Sequence, residues 1–410
     1  MDIYSRLNKL YKTSGLTEKN NSKNNDDISI IAENLKGRLK KTEDGPVIEI
    51  SSRLDYDERH GSFKVRHALD NRFNLYGMLF DITGSGIPDP EDLIFIDTET
   101  TGLSGGSGTM AFQIGIGFLR GNSFIIKQFF CPDFDYESSM LKLFNSEIDG
   151  FGNIVTYNGK CFDIPLLENR MILNRIKPSF SSKSHLDMLT ASRRLWKNRY
   201  GDCSLTAIEK AILNFNRTGD IPGYMIPQAY FDYLHSRHPA AMRLVLTHNR
   251  FDILSLAGVF FHGCGIEPEH IDSPEEQFSM GKIFLNAGEE SKALKSFLNA
   301  EQYGPQSSVY NDSIIYIGAI SKRNSEWEQA YNYYTEALAN GGNPLIFAIE
   351  AAKISEHRFH DYEKALKLSE LAIQAAVNVS NPHYSVKNEI KNIRHRKNRL
   401  LRKFSKLKKS

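Results

Sequence analysis

The chain has 410 residues, 40% of them hydrophobic and 24% charged, with a formal net charge of +2. That length exceeds one ordinary core and points to two or three domains, and the composition is that of a soluble globular protein rather than a disordered or fibrous one. No uninterrupted apolar run approaches the roughly 20 residues of a spanning helix, and the opening MDIYSRLNKLYKTSG lacks the basic-then-apolar order of a secretory signal. Membrane insertion and secretion are therefore not expected.

In chain order, residues 1–90 form a polar leader. Its stretch 14–28, SGLTEKNNSKNNDDI, has few apolar anchors and is expected to be flexible. The short apolar pieces VIEIS and FNLYGMLFDI are expected to pack on the domain that follows.

From residue 91 to 268 strand and helix signals alternate. LIFID reads as a buried strand, and AFQIGIGFL and SFIIKQFF as two more joined by the turn RGN. NIVTYN follows as a fourth, after the helical SMLKLFNSEI. DIPLLENRMILNR, LTAIEKAILNF, PQAYFDYLH and PAAMRLVLTHNRFDILSLAGVFF then read as helices. A mixed sheet covered by helices, an α/β arrangement, is predicted. The Gly-rich GLSGGSGTM lacks the Gly-Lys-Ser/Thr ending of a phosphate-binding P-loop and reads as a turn between the first two strands.

Residues 269–386 change to helix pairs. Ala293 and Ala300, Ala330 and Ala337, and Ala365 and Ala372 recur at seven-residue spacing, with Gly281 and Gly318 each twelve residues before the first Ala of a pair. The period of 35 to 37 residues is close to that of tetratricopeptide repeats, and Phe297 and Pro305 also fit that pattern. The third unit departs from it, with Lys353 in place of Gly and Ser369 in place of an aromatic. Three units of a short solenoid are predicted, with an ordinary helical bundle as the alternative.

Residues 387–410 hold eleven Lys/Arg against one acid, which leaves the other 386 residues with 40 basic and 48 acidic side chains. With Leu400, Leu401, Phe404 and Leu407 interleaved, this tail reads as an amphipathic basic helix suited to phosphate contacts. Cys131, Cys161, Cys203 and Cys264 are scattered without a Cys-x-x-Cys pair, as expected of reduced thiols in a cytoplasmic protein.

The chemistry is concentrated in four places. In DLIFIDTETTGL a strand ends in Asp97 and Glu99, which share a face while Thr98 turns away. Two such anions repel, and no Lys or Arg lies within ten residues on either side, which leaves a divalent metal as the economical counter-charge. An acidic pair that merely faces solvent is the alternative. In NIVTYNGKCFDIPLL, Asp163 begins a helix at the C-terminal end of a strand, where the dipole favours it and where open α/β folds place their sites. In LTHNRFDILSL, His248 and Asp252 share one face of an apolar helix, as a site pair or as a structural hydrogen bond. Asp187 in HLDML reads as structural, and His185 as incidental.

The order IDTETTGL, YNGKCFDIPLL and HNRFD resembles the three exonuclease motifs of the DEDD superfamily, whose fold is ribonuclease-H-like. HLDMLTASRRLW, CSLTAIEKAI and GDIPGYMIPQAYFDYL are similar to connecting segments of its YprB-like branch. The resemblance spans roughly residues 60 to 265. It implies that Asp97, Glu99, Asp163 and Asp252 bind two Mg²⁺ or Mn²⁺ ions and that His248 is the general base. It also implies that Thr100, Leu103 and Asn158 touch the terminal nucleotide, with Phe162 stacking near it. His248 stands four residues before the last Asp, where the histidine-type branch has five. The function implied is a metal-dependent nuclease trimming single-stranded or frayed DNA or RNA from the 3′ end, with a protein partner on the repeats. The alternatives are a structure-specific endonuclease and a non-catalytic scaffold.

Overall fold

Leu93–Thr100, the strand that carries the acidic pair, is buried through Ile96 and opens at Asp97. It is β5 of the computed structural model, which describes residues 25–70, 72–82, 86–102, 108–377 and 384–407. Two compact units divide after Ile266.

The first unit is built on a seven-stranded mixed sheet. Its strands are β1 (Arg38–Thr42), β2 (Gly45–Asp55), β5, β6 (Ala111–Arg120), β7 (Ser123–Phe130), β8 (Asn153–Thr156) and β9 (Ser184–Asp187), in the order β1-β2-β7-β6-β5-β8-β9. A separate small hairpin pairs β3 (Arg59–His60) with β4 (Phe63–Lys64). Strands β5, β6 and β7 run antiparallel, whereas β8 and β9 continue the sheet in parallel. Nine of the ten residues of β6 are buried, because helices or other chain cover both faces; hence its nearly continuous apolar run rather than an alternation. The leader contributes more than packing. Residues 38–55 form β1 and β2 and extend the sheet beyond β7, since Val47 and Ile48 are fully buried while the polar ends stay outside. Residues 14–24 of the expected flexible stretch lie outside the described residues, and the rest of it begins helix α1 (Asn25–Asn34). Residues 103–107 of the Gly-rich turn also lie outside them.

Helices α2 (Val65–Leu69), α3 (Tyr76–Phe80), α4 (Glu137–Ile148), α5 (Asp163–Leu173), α6 (Met188–Tyr200), α7 (Leu205–Ile212), α8 (Ile226–Ser236) and α9 (Ala240–Cys264) complete the unit. The central one is α9, apolar and long enough by composition to cross a membrane, yet mostly buried as the core helix against the sheet. Its close seat on β6 depends on Gly115 and Gly117. A Cβ at Gly115 would fall 2.1 Å from Asn249 Oδ1, and one at Gly117 would fall 2.5 Å from Ile253 Cγ2. The backbone of β6 thereby lets the chemical face of α9 reach β5.

The second unit is all helical: α10 (Pro274–Asn286), α11 (Glu290–Glu301), α12 (Tyr310–Arg323), α13 (Trp327–Ala339), α14 (Pro344–His357), α15 (Tyr362–Val377) and α16 (Tyr384–Leu407). All six of the recurring alanines are fully buried. At Gly281 and Gly318 a Cβ would collide with the rings of Phe297 and Tyr334, so these glycines admit the aromatic of the next helix. Among the residues of the basic tail, Arg396, Arg399 and Lys403 close on the buried carboxylate of Glu356 at 2.6 to 3.0 Å. Burial opposes ionisation of Glu356, but the hydrogen bonds from Arg399 and Lys403 and the nearby positive charge outweigh it and hold its pKa down at about 2. Part of the tail's charge is therefore structural. Lys391, Arg394 and Arg402 face solvent on the other side of α16.

Candidate active site

The parallel pairing of β5 with β8 stops at Phe95 and Val155, so Asp97 and Glu99 extend past it at the edge where the chain leaves β8 for α5. Asp163 is the first residue of α5, and the Thr98 hydroxyl donates to its Oδ1 at 2.5 Å. Thr98, turned away from the Asp97 face, thus clips the third carboxylate to the strand end. From α9, Asn249 Nδ2 donates to Asp97 Oδ2 at 2.8 Å. One ligand atom from each of Glu99, His248 and Asp252 lies within 4.8 Å of the other two. Asp163 and Asp252 are near enough that their charges bear on Asp97, and the charges of all three bear on Glu99. The four carboxylates, more than 150 residues apart at the extremes, share one pocket with His248.

A family model described as the RNase H superfamily matches residues 94–262, the stretch that contains all five of these side chains. The Bacillus subtilis (strain 168) protein YprB, an uncharacterized protein, is 31% identical over 358 residues, covering 85% of this chain and 84% of its own. The chain belongs to the YprB family. Its first unit contains an RNase H superfamily domain at residues 94–262, and the match to YprB runs well beyond that domain. Among solved structures, the family B DNA polymerase from the hyperthermophilic archaeon Pyrobaculum calidifontis aligns with a TM-score of 0.36 at 14% identity, over 58% of this chain and 30% of the polymerase. The chain thus spans less than a third of that polymerase's length.

In this member of the YprB family the pocket is electrostatically loaded. Burial, then the charges of Asp252 and Asp163, push the Asp97 carboxyl well above its ordinary range, against the opposing Asn249 hydrogen bond and Arg217. Burial and then Asp97, Asp252, Asp163 and Asp220 do the same to Glu99. Burial raises Asp163 to about 6 despite the Thr98 hydrogen bond.

Charge compensation comes partly from a residue that a search of the flanking ten residues could not find. Arg217, in the loop after α7, donates to Asp252 Oδ1 at 2.5 Å and to Asp220 Oδ2 at 3.2 Å. Its other contacts are to both carboxylate oxygens of Glu209, at 2.6 and 2.9 Å. Glu209 is 1% exposed and also receives the Ser255 hydroxyl, which lies 2.7 Å from Nε2 of the buried His60. The fold thus supplies one cation of its own, from outside the ten residues that flank Asp97 and Glu99 on either side. Four ligand-type carboxyls plus Asp220 and Glu209 surround one arginine and one histidine, so the carboxyls outnumber the cations that could balance them.

Asp220 is the second residue missed. Its two oxygens lie 2.9 and 2.8 Å from His248 Nδ1, which leaves His248 Nε2 facing Asp252 Oδ2 at 3.2 Å. Burial pulls the imidazole pKa down, but the hydrogen bond to Asp220 and the charges of Asp252 and Asp220 outweigh it and raise it. Asn249 is the third. It is fully buried, its Oδ1 accepts from Gln128 Nε2 at 2.9 Å, and this fixes the amide with Nδ2 toward Asp97. An Asn set within an apolar helical run was the available signal, since such a side chain needs partners if it is buried.

The donor set suits a hard divalent cation: carboxylate oxygens, crowded and desolvated, with one left open. That one is Glu99, which is 8% exposed and accepts no hydrogen bond or ion pair among the described residues. Gln113, its register partner on β6, is buried with both amide atoms unpartnered among the described residues.

Of the remaining predicted positions, Leu103 lies outside the described residues. Thr100 donates its hydroxyl to the Gly102 carbonyl at 2.8 Å. Asn158 holds a left-handed backbone, φ 65°, fixed by its N–H donating to Asp187 Oδ1. Phe162, immediately before Asp163, is 55% exposed. Asp187 caps α6 through Leu189 N and receives Lys160 N, so it is structural. His185 lies 2.8 Å from the Thr156 hydroxyl.

Proposed function

We propose that the protein is a divalent-metal-dependent nuclease hydrolysing phosphodiester bonds, acting as a 3′-to-5′ exonuclease on single-stranded or frayed ends. The observation that carries this reading is the convergence of Asp97, Glu99, Asp163 and Asp252 in an RNase H superfamily domain, with Glu99 buried and without a hydrogen-bond partner among the described residues. Those four carboxylates would hold two ions, Mg²⁺ or Mn²⁺. The chemistry supplied there by bound divalent ions is polarisation of the scissile phosphate and acidification of the attacking water. The chain's own residues supply the rest. Asn249 and Thr98 orient Asp97 and Asp163. Arg217 holds Asp252 from behind, and Asp220 turns His248 so that Nε2 faces the pocket. The exposed ring of Phe162 offers a stacking surface beside Asp163.

The domain divisions 1–90, 91–268, 269–386 and 387–410 are part of the same reading, with the helix pairs as tetratricopeptide-like units for a protein partner. The test is release of nucleotides from end-labelled single- and double-stranded DNA and RNA in Mg²⁺ and Mn²⁺, with 3′-free, 3′-blocked and circular substrates. Loss from free 3′ ends alone is expected. Cleavage of circles would make the enzyme an endonuclease, and binding without cleavage would make it a scaffold.

The tail enters through its outer face. Deleting 387–410 would also strip Glu356 of its partners, so point changes are the cleaner probe. Reversing Lys391, Arg394 and Arg402 to Glu should weaken nucleic-acid binding and flatten the log-affinity against log-salt slope by about 2. Affinity measured from 50 to 300 mM salt by fluorescence anisotropy checks this, and an unchanged slope would assign the face to another partner.

A further inference from the structure

We propose that His248 is itself a metal ligand, joining Glu99 and Asp252 in a mixed nitrogen–oxygen site that takes Mn²⁺ in preference to Mg²⁺. The inference rests on the reading of the acidic pocket as a divalent-metal site and replaces a general-base role for this histidine. Three features support it.

The first is convergence. The ligand atoms of Glu99, His248 and Asp252 are mutually within 4.8 Å, and Nε2 of His248 is 3.2 Å from Asp252 Oδ2. Two atoms held at right angles, each about 2.1 Å from one ion, are about 3.0 Å apart, close to the spacing found. Glu99 is the open third ligand, nine-tenths buried and without a partner among the described residues.

The second is the support behind the ring. A metal-bound histidine characteristically gives its other nitrogen to a carboxylate, which fixes its orientation. Asp220 meets Nδ1 in that way with both oxygens, and Arg217 braces Asp220 while reaching Asp252 as well. Nε2 is therefore the nitrogen presented to the pocket.

The third is the helix spacing. Four residues on α9 put His248 and Asp252 one above the other on a single face, an arrangement suited to gripping one ion; a fifth residue would rotate the ring by about 100° away from Asp252. Imidazole nitrogen favours transition ions such as Mn²⁺, whereas Mg²⁺ prefers oxygen and water. A nitrogen in the set thus implies selectivity for Mn²⁺.

The test is pulsed electron paramagnetic resonance of the full chain loaded with Mn²⁺, together with calorimetric titration of Mn²⁺ and Mg²⁺. Nitrogen-14 modulation from a coordinated imidazole is expected in the unaltered protein. In His248→Ala it should vanish while Mn²⁺ still binds, about 10- to 100-fold more weakly, with Mg²⁺ affinity changed less. Asp220→Asn should keep the nitrogen signal and weaken Mn²⁺ by about tenfold or more. Bound Mn²⁺ without nitrogen modulation in the unaltered protein, or modulation that survives in His248→Ala, would overturn the ligand role and leave the metal pocket standing. Absence of Mn²⁺ binding altogether would overturn both. The unaltered protein's spectrum decides the matter even if His248→Ala does not fold.

Discussion

Replacing Asp97 by Asn should lower metal-dependent hydrolysis by at least about 10³-fold while leaving the fold intact. The substitution keeps the shape and an oxygen that can still accept from Asn249 Nδ2, so the register of α9 on β6 is preserved. It removes a negative charge from a group whose carboxyl is pushed up by burial and by Asp252 and Asp163, which means that the ionised form is under repulsion in the absence of cations. The melting temperature in chelator should therefore be unchanged or higher. Turnover of an end-labelled oligonucleotide and a thermal melt in the same buffer check both halves of the expectation. Retained activity would remove Asp97 from the chemistry, and a lower melting temperature in chelator would contradict the crowding of anions.

Arg217→Met should do the opposite to the fold. The methionine fills part of the same space but leaves Glu209, Asp220 and Asp252 without the guanidinium they share. Side-chain exposures of 2%, 14% and 13% for these three give water little access to replace it. Breaking one partner of a buried ionic group costs about 3–5 kcal/mol. The loss should be greatest in chelator and partly recovered by Mn²⁺, since a bound cation restores some of the missing positive charge beside Asp252. Denaturant melts of the variant with and without Mn²⁺ measure this. A variant as stable as the original in chelator would show that the acidic residues are solvated rather than dependent on Arg217.

These two residues also mark what could be read from the sequence. Asp97 was legible because a strand period and a buried run put it and Glu99 on one face at a strand end. His248 and Asp252 were legible through helical spacing. Arg217, Asp220 and Glu209 were not, because they come from a segment whose local pattern is an ordinary helix followed by a polar loop. Their role arises only when that loop is brought against α9. The counter-charge of a buried acid can come from any part of the chain, so a search of its neighbours in sequence is blind to it. The strands β5 to β8 were predictable from their apolar runs and the RGN turn, whereas β1, with the sequence RLKKT, carries no apolar alternation and is a strand because it pairs with β2. In the second unit the alanine and glycine spacing showed where helices approach closely. The tail's charge, read there as free for phosphate, is divided by Glu356 into an inner structural face and an outer one.

The fold gathers more carboxyls in this pocket than Arg217 and His248 can balance, and on the proposed reading divalent cations make up the difference. Thermal unfolding of the unaltered chain across a Mn²⁺ titration, started from chelator, measures that contribution. Stabilisation of the folded state should grow with concentration, reaching about 2.7 kcal/mol at one hundred times the dissociation constant, and Asp97→Asn should blunt it. A melting temperature that does not move with Mn²⁺ or Mg²⁺ would mean that the pocket holds no divalent ion.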